Sequence, residues 1–269
     1  MVKKLFKHEI RALGRVLFPT YGIMLAIGVF TRLLSAVEFD HTLYDIAFGS
    51  AQFFFFAAAA ASILLTLGMV VVRFYRHLFT TEGYLSFTLP VTATQHLWVK
   101  LITGTLFQVI SVLAVVLSGA VAIKLELLVE IVKVILYYVS EITQSPVGWH
   151  FWAWLAEGII TLPVALASSL LLYYTCMTVG QLAKKNRILL AVGVYMIFYT
   201  VTQVLMTILI GILSLTANMW SEPLVAFIEA NPYTFVHICF AATFVLSLLW
   251  CAVLFLVCRF ILNRRLNLE

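Results

Sequence analysis

Six long apolar segments, separated by short polar connections, constrain the fold of this chain more than any other feature. A helix needs about 20 apolar residues to cross the hydrocarbon core of a bilayer. The segments lie at about 18–37, 46–72, 97–123, 151–180, 188–215 and 233–262. Only 11% of the residues are charged, whereas soluble domains carry about 25%. The sequence therefore predicts an all-α, polytopic membrane protein with six transmembrane helices.

The distribution of positive charge predicts the orientation of these helices. Of the 17 lysines and arginines, 14 fall in the terminal segments and in the second-to-third and fourth-to-fifth connections. The exceptions are Arg32, Lys124 and Lys133. Because basic residues accumulate on the cytoplasmic side, we expect both termini to be cytoplasmic. The net charge of +5 then follows from membrane topology and gives no indication of nucleic-acid binding.

Two amphipathic helices are predicted outside the spans. Residues 1–17 combine helically spaced apolar side chains with lysines and arginines, which is typical of a helix on the cytoplasmic leaflet. We expect this helix to be retained, since no small-residue cleavage site follows it. Polar side chains recur every three or four residues over 124–145, so a helix there either rests on the outer leaflet or extends the third span. Residues 18–262 form the transmembrane domain, and 263–269 a short cytoplasmic tail.

The sequence contains no motif that binds a nucleotide or a structural metal. There is no GxxxxGK[ST] loop, no HExxH and no CxxC. The six histidines fall in separate segments and do not indicate a metal site or a proton relay. We therefore expect no catalytic residue, no metal and no bound cofactor on this chain. An intramembrane enzyme is disfavoured, because no activated nucleophile or carboxylate pair is visible.

Four residues in the spans are candidates for a conduit or a gate. Glu157 lies near three tryptophans at 149–154, so it either faces a cavity or sits at the outer interface. Pro163 is expected to kink the fourth span, which permits bending during transport. Gln108 and Gln203 either form hydrogen bonds between helices or line a polar path.

Residues 73–100 are polar and aromatic, and they connect the second span to the third on the predicted cytoplasmic side. Within them, the sequence Glu82-Gly83-Tyr84-Leu85-Ser86-Phe87-Thr88-Leu89-Pro90-Val91 resembles the EGYL-x-F-[ST]-LPV stretch of small bacterial ABC exporter permeases of the second type, common in Gram-positive bacteria. The basic N-terminal helix is also similar to that family. Ten positions match closely, and the six-span layout matches loosely.

The resemblance implies a permease subunit of an ATP-driven exporter in the bacterial cell membrane. The segment 73–100 would then contain a coupling helix that docks on a separate ABC ATPase subunit, which binds ATP and Mg. A second permease chain, identical or homologous, would complete a dimer that exports a hydrophobic or amphipathic substrate (a peptide, a lipid or a drug-like compound) by alternating access. The docking residues would be Glu82, Gly83, Tyr84, Leu85, Phe87, Leu89 and Pro90.

The residues themselves leave two alternatives open. The apolar side chains of 82–91 could anchor in a partner's groove, or they could hold a short helix on the inner leaflet with no partner. The chain could also be a motor-independent secondary transporter or channel. Such proteins carry charged or broken helices at matching places in two halves, and here only Glu157 and Pro163 point that way.

Overall fold

The structure, a computed structural model, describes residues 2–36, 42–80, 91–145, 147–183 and 185–264. Within these ranges it contains eight helices and no strand. They are α1 (Val2–Ala36), α2 (Thr42–Phe79), α3 (Ala93–Ala122), α4 (Leu125–Gln144), α5 (Gly148–Gly180), α6 (Arg187–Leu215), α7 (Ala217–Ala230) and α8 (Pro232–Arg264). Six of them, α1, α2, α3, α5, α6 and α8, are long and apolar enough to cross a bilayer. The prediction of an all-α protein with six apolar helices is confirmed.

The N-terminal helix differs from its prediction in one respect. Residues 1–17 were expected to form an element of their own, yet α1 continues without a break through Pro19. The reason lies in the buried stripe of α1, where Leu13, Leu17 and Tyr21 follow one another at intervals of four residues. This stripe packs against α2 and α3, so the basic half of α1 is held in the bundle instead of forming a separate helix.

The two short helices, α4 and α7, lie in connections between long helices. The helix predicted at 124–145 is present as α4, and none of its residues is buried. Extended backbone at Ile123 and Lys124 separates α4 from α3. Of the two arrangements considered, α4 as a continuation of the third span is therefore wrong.

The long helices form two groups that meet at α3 and α5. One group contains α1, α2 and α3, and the other contains α5, α6 and α8. The main core lies where both groups contact each other, and the rings of Phe74 and Tyr174 stack there with centroids 3.8 Å apart. Gly104 of α3 permits this approach, since a Cβ at its position would lie 2.5 Å from Leu170 and 2.7 Å from Val70. Small residues let membrane helices approach in this way.

Candidate functional site

The predicted docking residues Glu82, Gly83, Tyr84, Leu85, Phe87, Leu89 and Pro90 lie outside the described residues. The structure does describe the two ends that hold this segment. Before it, Leu78 and Phe79 at the end of α2 are buried in the main core. After it, Thr92 caps α3: its hydroxyl accepts a hydrogen bond from the Gln95 amide, and its own amide donates to Gln95 Oε1. This reciprocal pair is a capping box. Both ends of the segment are thus fixed.

A buried carboxylate links these two ends to α1. Glu9 is only 3% exposed. Arg73 of α2 donates from Nε to Glu9 Oε2 over 2.6 Å, and Lys100 of α3 donates from Nζ to Glu9 Oε1 over 3.0 Å. His77 Nδ1 lies 3.6 Å from the same Oε1 atom. Three helices therefore meet at one side chain of α1.

Because Glu9 and Lys100 are buried, the stability of the cluster depends strongly on the pairing of opposite charges. The side chain of Lys100 is 6% exposed, and an unpaired buried charge costs several kcal/mol. Glu9 supplies the opposite charge. The hydroxyl of Tyr174 donates to the carbonyl oxygen of Lys100 over 3.2 Å, which adds α5 to the same layer. The helix ends on either side of 82–91 are thus cross-linked to one another and to the rest of the bundle.

Sequence reasoning did not find this cluster. It used Arg73 and Lys100 as positive charges on the predicted cytoplasmic side and gave Glu9 no role. One signal was present: Glu9 is the single acidic residue among the five lysines and arginines of 2–17. Its partners lie 64 and 91 residues away, so no local pattern could identify them.

A second cluster joins α5 to α8 at the opposite end of the bundle. Glu157 Oε1 lies 2.7 Å from His237 Nδ1, and His237 Nε2 lies 3.0 Å from His150 Nδ1. The ring of Tyr233 stacks on His150 at 4.8 Å, and Trp154 lies beside both histidines. The expectation that the histidines are scattered is wrong for His150 and His237, because the parallel packing of α5 on α8 brings them together.

This hydrogen-bonded chain has a defined chemical capability. With Glu157 ionised, His237 donates from Nδ1 and its Nε2 accepts a hydrogen from His150, an assignment that rests on the hydrogen-bond geometry. A proton can thus pass between three titratable groups in contact. Glu157 Oε2 is buried and has no hydrogen-bond partner among the described residues. Within the described ranges no three His, Cys, Asp or Glu side chains are placed to hold a metal ion.

The other predicted conduit residues do not join this chain. Pro163 lies inside α5, which continues past it, and lines an apolar groove between α3, α5 and α8. Gln203 is exposed on α6. Gln108 is half-buried, and its Oε1 finds no hydrogen-bond partner in the described part of the chain. No hydrogen bond between described residues connects Gln108 or Gln203 to Glu157.

The fold and these clusters define the class of the molecule: a multi-pass, all-helical membrane protein with a buried ion cluster and a partly buried Glu–His–His chain. Comparison with known proteins takes the assignment no further, since no family model, curated protein or solved structure matches the chain.

Proposed function

We propose that this chain is the transmembrane permease subunit of an ATP-driven ABC exporter. The segment 82–91 docks on a separate ATPase subunit, which binds ATP and Mg. The observation that best supports this proposal is the Glu9 cluster. It joins α2, which leads into this segment, to α3, which follows it, and it connects both helices to α1. A displacement of the docked segment is therefore passed to α1, α2 and α3 together.

The remaining parts of the proposal concern partners and substrate. A second permease chain, identical or homologous, faces the first across the transport path, and the two alternate between inward and outward access. The substrate is hydrophobic or amphipathic, in keeping with long helices whose polar side chains are few. The complex resides in the bacterial cell membrane with both termini cytoplasmic, as the positive charges at one end of the bundle favour.

The test uses co-expression of this chain with an ABC ATPase encoded beside it. The variants Leu85→Asp and Phe87→Asp place a charge in the predicted anchors, and we expect each to abolish co-purification of the ATPase and substrate-stimulated ATP hydrolysis. Leu215→Asp is the matched control, since Leu215 is 86% exposed at the far end of α6. Full assembly and hydrolysis in both docking variants would exclude the docking assignment.

A second candidate, a motor-independent secondary transporter or channel, is favoured by one observation. The Glu157–His237–His150 chain gives α5 and α8 three interacting titratable groups, and such groups are typical of proton-coupled transporters. The discriminating experiment places the purified chain alone in liposomes with an internal pH dye. Proton flux that disappears in Glu157→Gln would support the second candidate, whereas flux-free vesicles would leave the ABC permease as the better proposal.

A further inference from the structure

We propose that α8 and its neighbours form a binding site for an anionic phospholipid of the membrane. Its phosphate lies at Arg259, and one acyl chain lies in the groove that α8 forms with α3 and α5. This site uses none of the residues of the Glu–His–His chain, and it holds for either function proposed above.

The groove is apolar along its whole length. It has a volume of about 520 Å³. Trp98 of α3 tilts against Phe255 of α8 with ring centroids 4.7 Å apart, and these rings close one side. Small side chains, among them Ala167 of α5 and Ala252 of α8, leave the space open on the other faces. A hydrocarbon chain matches this lining, because it carries no charged side chain and its polar side-chain groups are limited to the Trp98 indole N–H and the Cys251 thiol.

The groove continues toward the basic end of the bundle. Leu256 lines both the groove and a second cavity of about 710 Å³, which is also lined by Arg259 and Asn263. The residues Leu248, Ala252, Leu256, Arg259 and Asn263 are three or four positions apart, so they share one face of α8. That face is apolar first and polar at its end, which is the order of groups in an amphiphile.

The dimensions select a membrane lipid among amphiphiles. Eleven residues separate Leu248 from Arg259, and a helical rise of 1.5 Å per residue makes this about 16 Å. One leaflet contributes about 15 Å, half of the hydrocarbon core. A phosphate at Arg259 therefore allows an acyl chain of ordinary leaflet depth to reach Leu248.

The charge at the polar end selects an anionic headgroup. Arg259 is exposed and makes no ion pair with any residue in the described ranges. Leu182 lines the same cavity, and Lys185 and Arg187 lie at the same end of the bundle, between α5 and α6 or at the start of α6. Guanidinium groups match phosphate geometry, and basic pockets between membrane helices bind anionic headgroups. A zwitterionic lipid has no net charge, so it would be attracted less strongly to these cations.

The experiment measures lipid preference through Trp98. The full chain is reconstituted in phosphatidylcholine nanodiscs that contain a minor fraction of phosphatidylglycerol or phosphatidylcholine with brominated acyl chains, which quench nearby tryptophans. We expect brominated phosphatidylglycerol to quench more than brominated phosphatidylcholine. Trp98→Phe should remove this excess. Arg259→Gln should weaken phosphatidylglycerol binding about tenfold, as expected for the loss of one charge-assisted hydrogen bond.

The control is Arg32→Gln, which removes a cation at the opposite end of the bundle and should keep the preference. The melting temperature of Arg259→Gln in pure phosphatidylcholine checks that the exposed substitution leaves the fold intact. Three results would each overturn the proposal: equal quenching by both lipids, a preference that survives Arg259→Gln, or an equal loss in Arg32→Gln. Excess quenching that persists in Trp98→Phe would overturn the placement of the acyl chain.

Discussion

Glu9 is a single carboxylate on which the positions of two buried or half-buried cations depend. The variant Glu9→Gln keeps its shape but removes the negative charge that Arg73 and Lys100 both contact. Removal of one partner of a buried ion pair costs about 3–5 kcal/mol. We expect a loss at the lower end of that range, since the Arg73 side chain is partly exposed and solvent screens it. Reversible unfolding by denaturing detergent in mixed micelles measures this change in the free energy of unfolding.

Glu222→Gln is the matched control for Glu9→Gln, because Glu222 is exposed on α7 and has no ion pair among the described residues. Its effect should stay within about 0.5 kcal/mol, the usual range for surface substitutions. If Glu9→Gln unfolds with the free energy of the parent protein, the three helices are held by apolar packing alone.

Glu157 and His237 should be energetically coupled, because each provides the other's shortest polar contact. A double-mutant cycle with Glu157→Ala, His237→Ala and the double variant isolates that coupling. We expect about 0.5–3 kcal/mol, the range for side chains in one hydrogen-bond network. Unfolding free energies of the four proteins measure it. Strict additivity would mean that α5 and α8 pack without help from this contact.

At the scale of helices, Gly104 controls how closely three of them approach. Gly104→Ala places a methyl group 2.5 Å from a Leu170 methyl and 3.0 Å from the Tyr174 hydroxyl. Overpacking of this kind typically costs about 1–3 kcal/mol, so we expect a clear drop in the melting temperature. Gly193→Ala on α6 is the control, since its Cβ would meet nothing within 4 Å. Equal stability of the two variants would show that the interface around Gly104 is loose.

The positions of most helices follow from local features of the sequence. Apolar length predicted α3, α5, α6 and α8 to within four residues at each end and placed the end of α2 seven residues too early, and polar spacing predicted α4. The continuity of α1 through Pro19 was not predictable in this way. It depends on Leu13 and Leu17 packing against α2 and α3, and a tertiary contact decides whether an interior proline ends a helix.

The polar clusters illustrate the same limit more sharply. His150 and His237 are 87 residues apart, and Glu157 and His237 are 80 apart. Each residue on its own has an unremarkable setting in an apolar helix. Only the pairing of α5 with α8 brings the three together, and the periodicity of a single helix carries no information about which neighbour it will have.

At the scale of the whole molecule, the two ends of the bundle differ in charge. The start of α1, the end of α2, the start of α3 and the end of α5 meet around Glu9 and Tyr174, and this end carries Lys3, Lys4, Lys7, Arg11 and Arg15. The 35 residues of α1 extend about 52 Å, which exceeds the roughly 30 Å hydrocarbon core. The basic part of α1 is therefore expected to project beyond the membrane on one side.

Cysteine labelling tests which side that is. In a variant whose four native cysteines are replaced by serine, Lys4→Cys marks the basic end and Glu130→Cys marks α4. The positive-inside rule places the basic end in the cytoplasm. We therefore expect a membrane-impermeant maleimide to label Glu130→Cys in intact cells, and Lys4→Cys only after lysis. The reverse pattern would place the segment 82–91 outside the cell, where no cytoplasmic ATPase could dock on it. That result would contradict the proposed permease function.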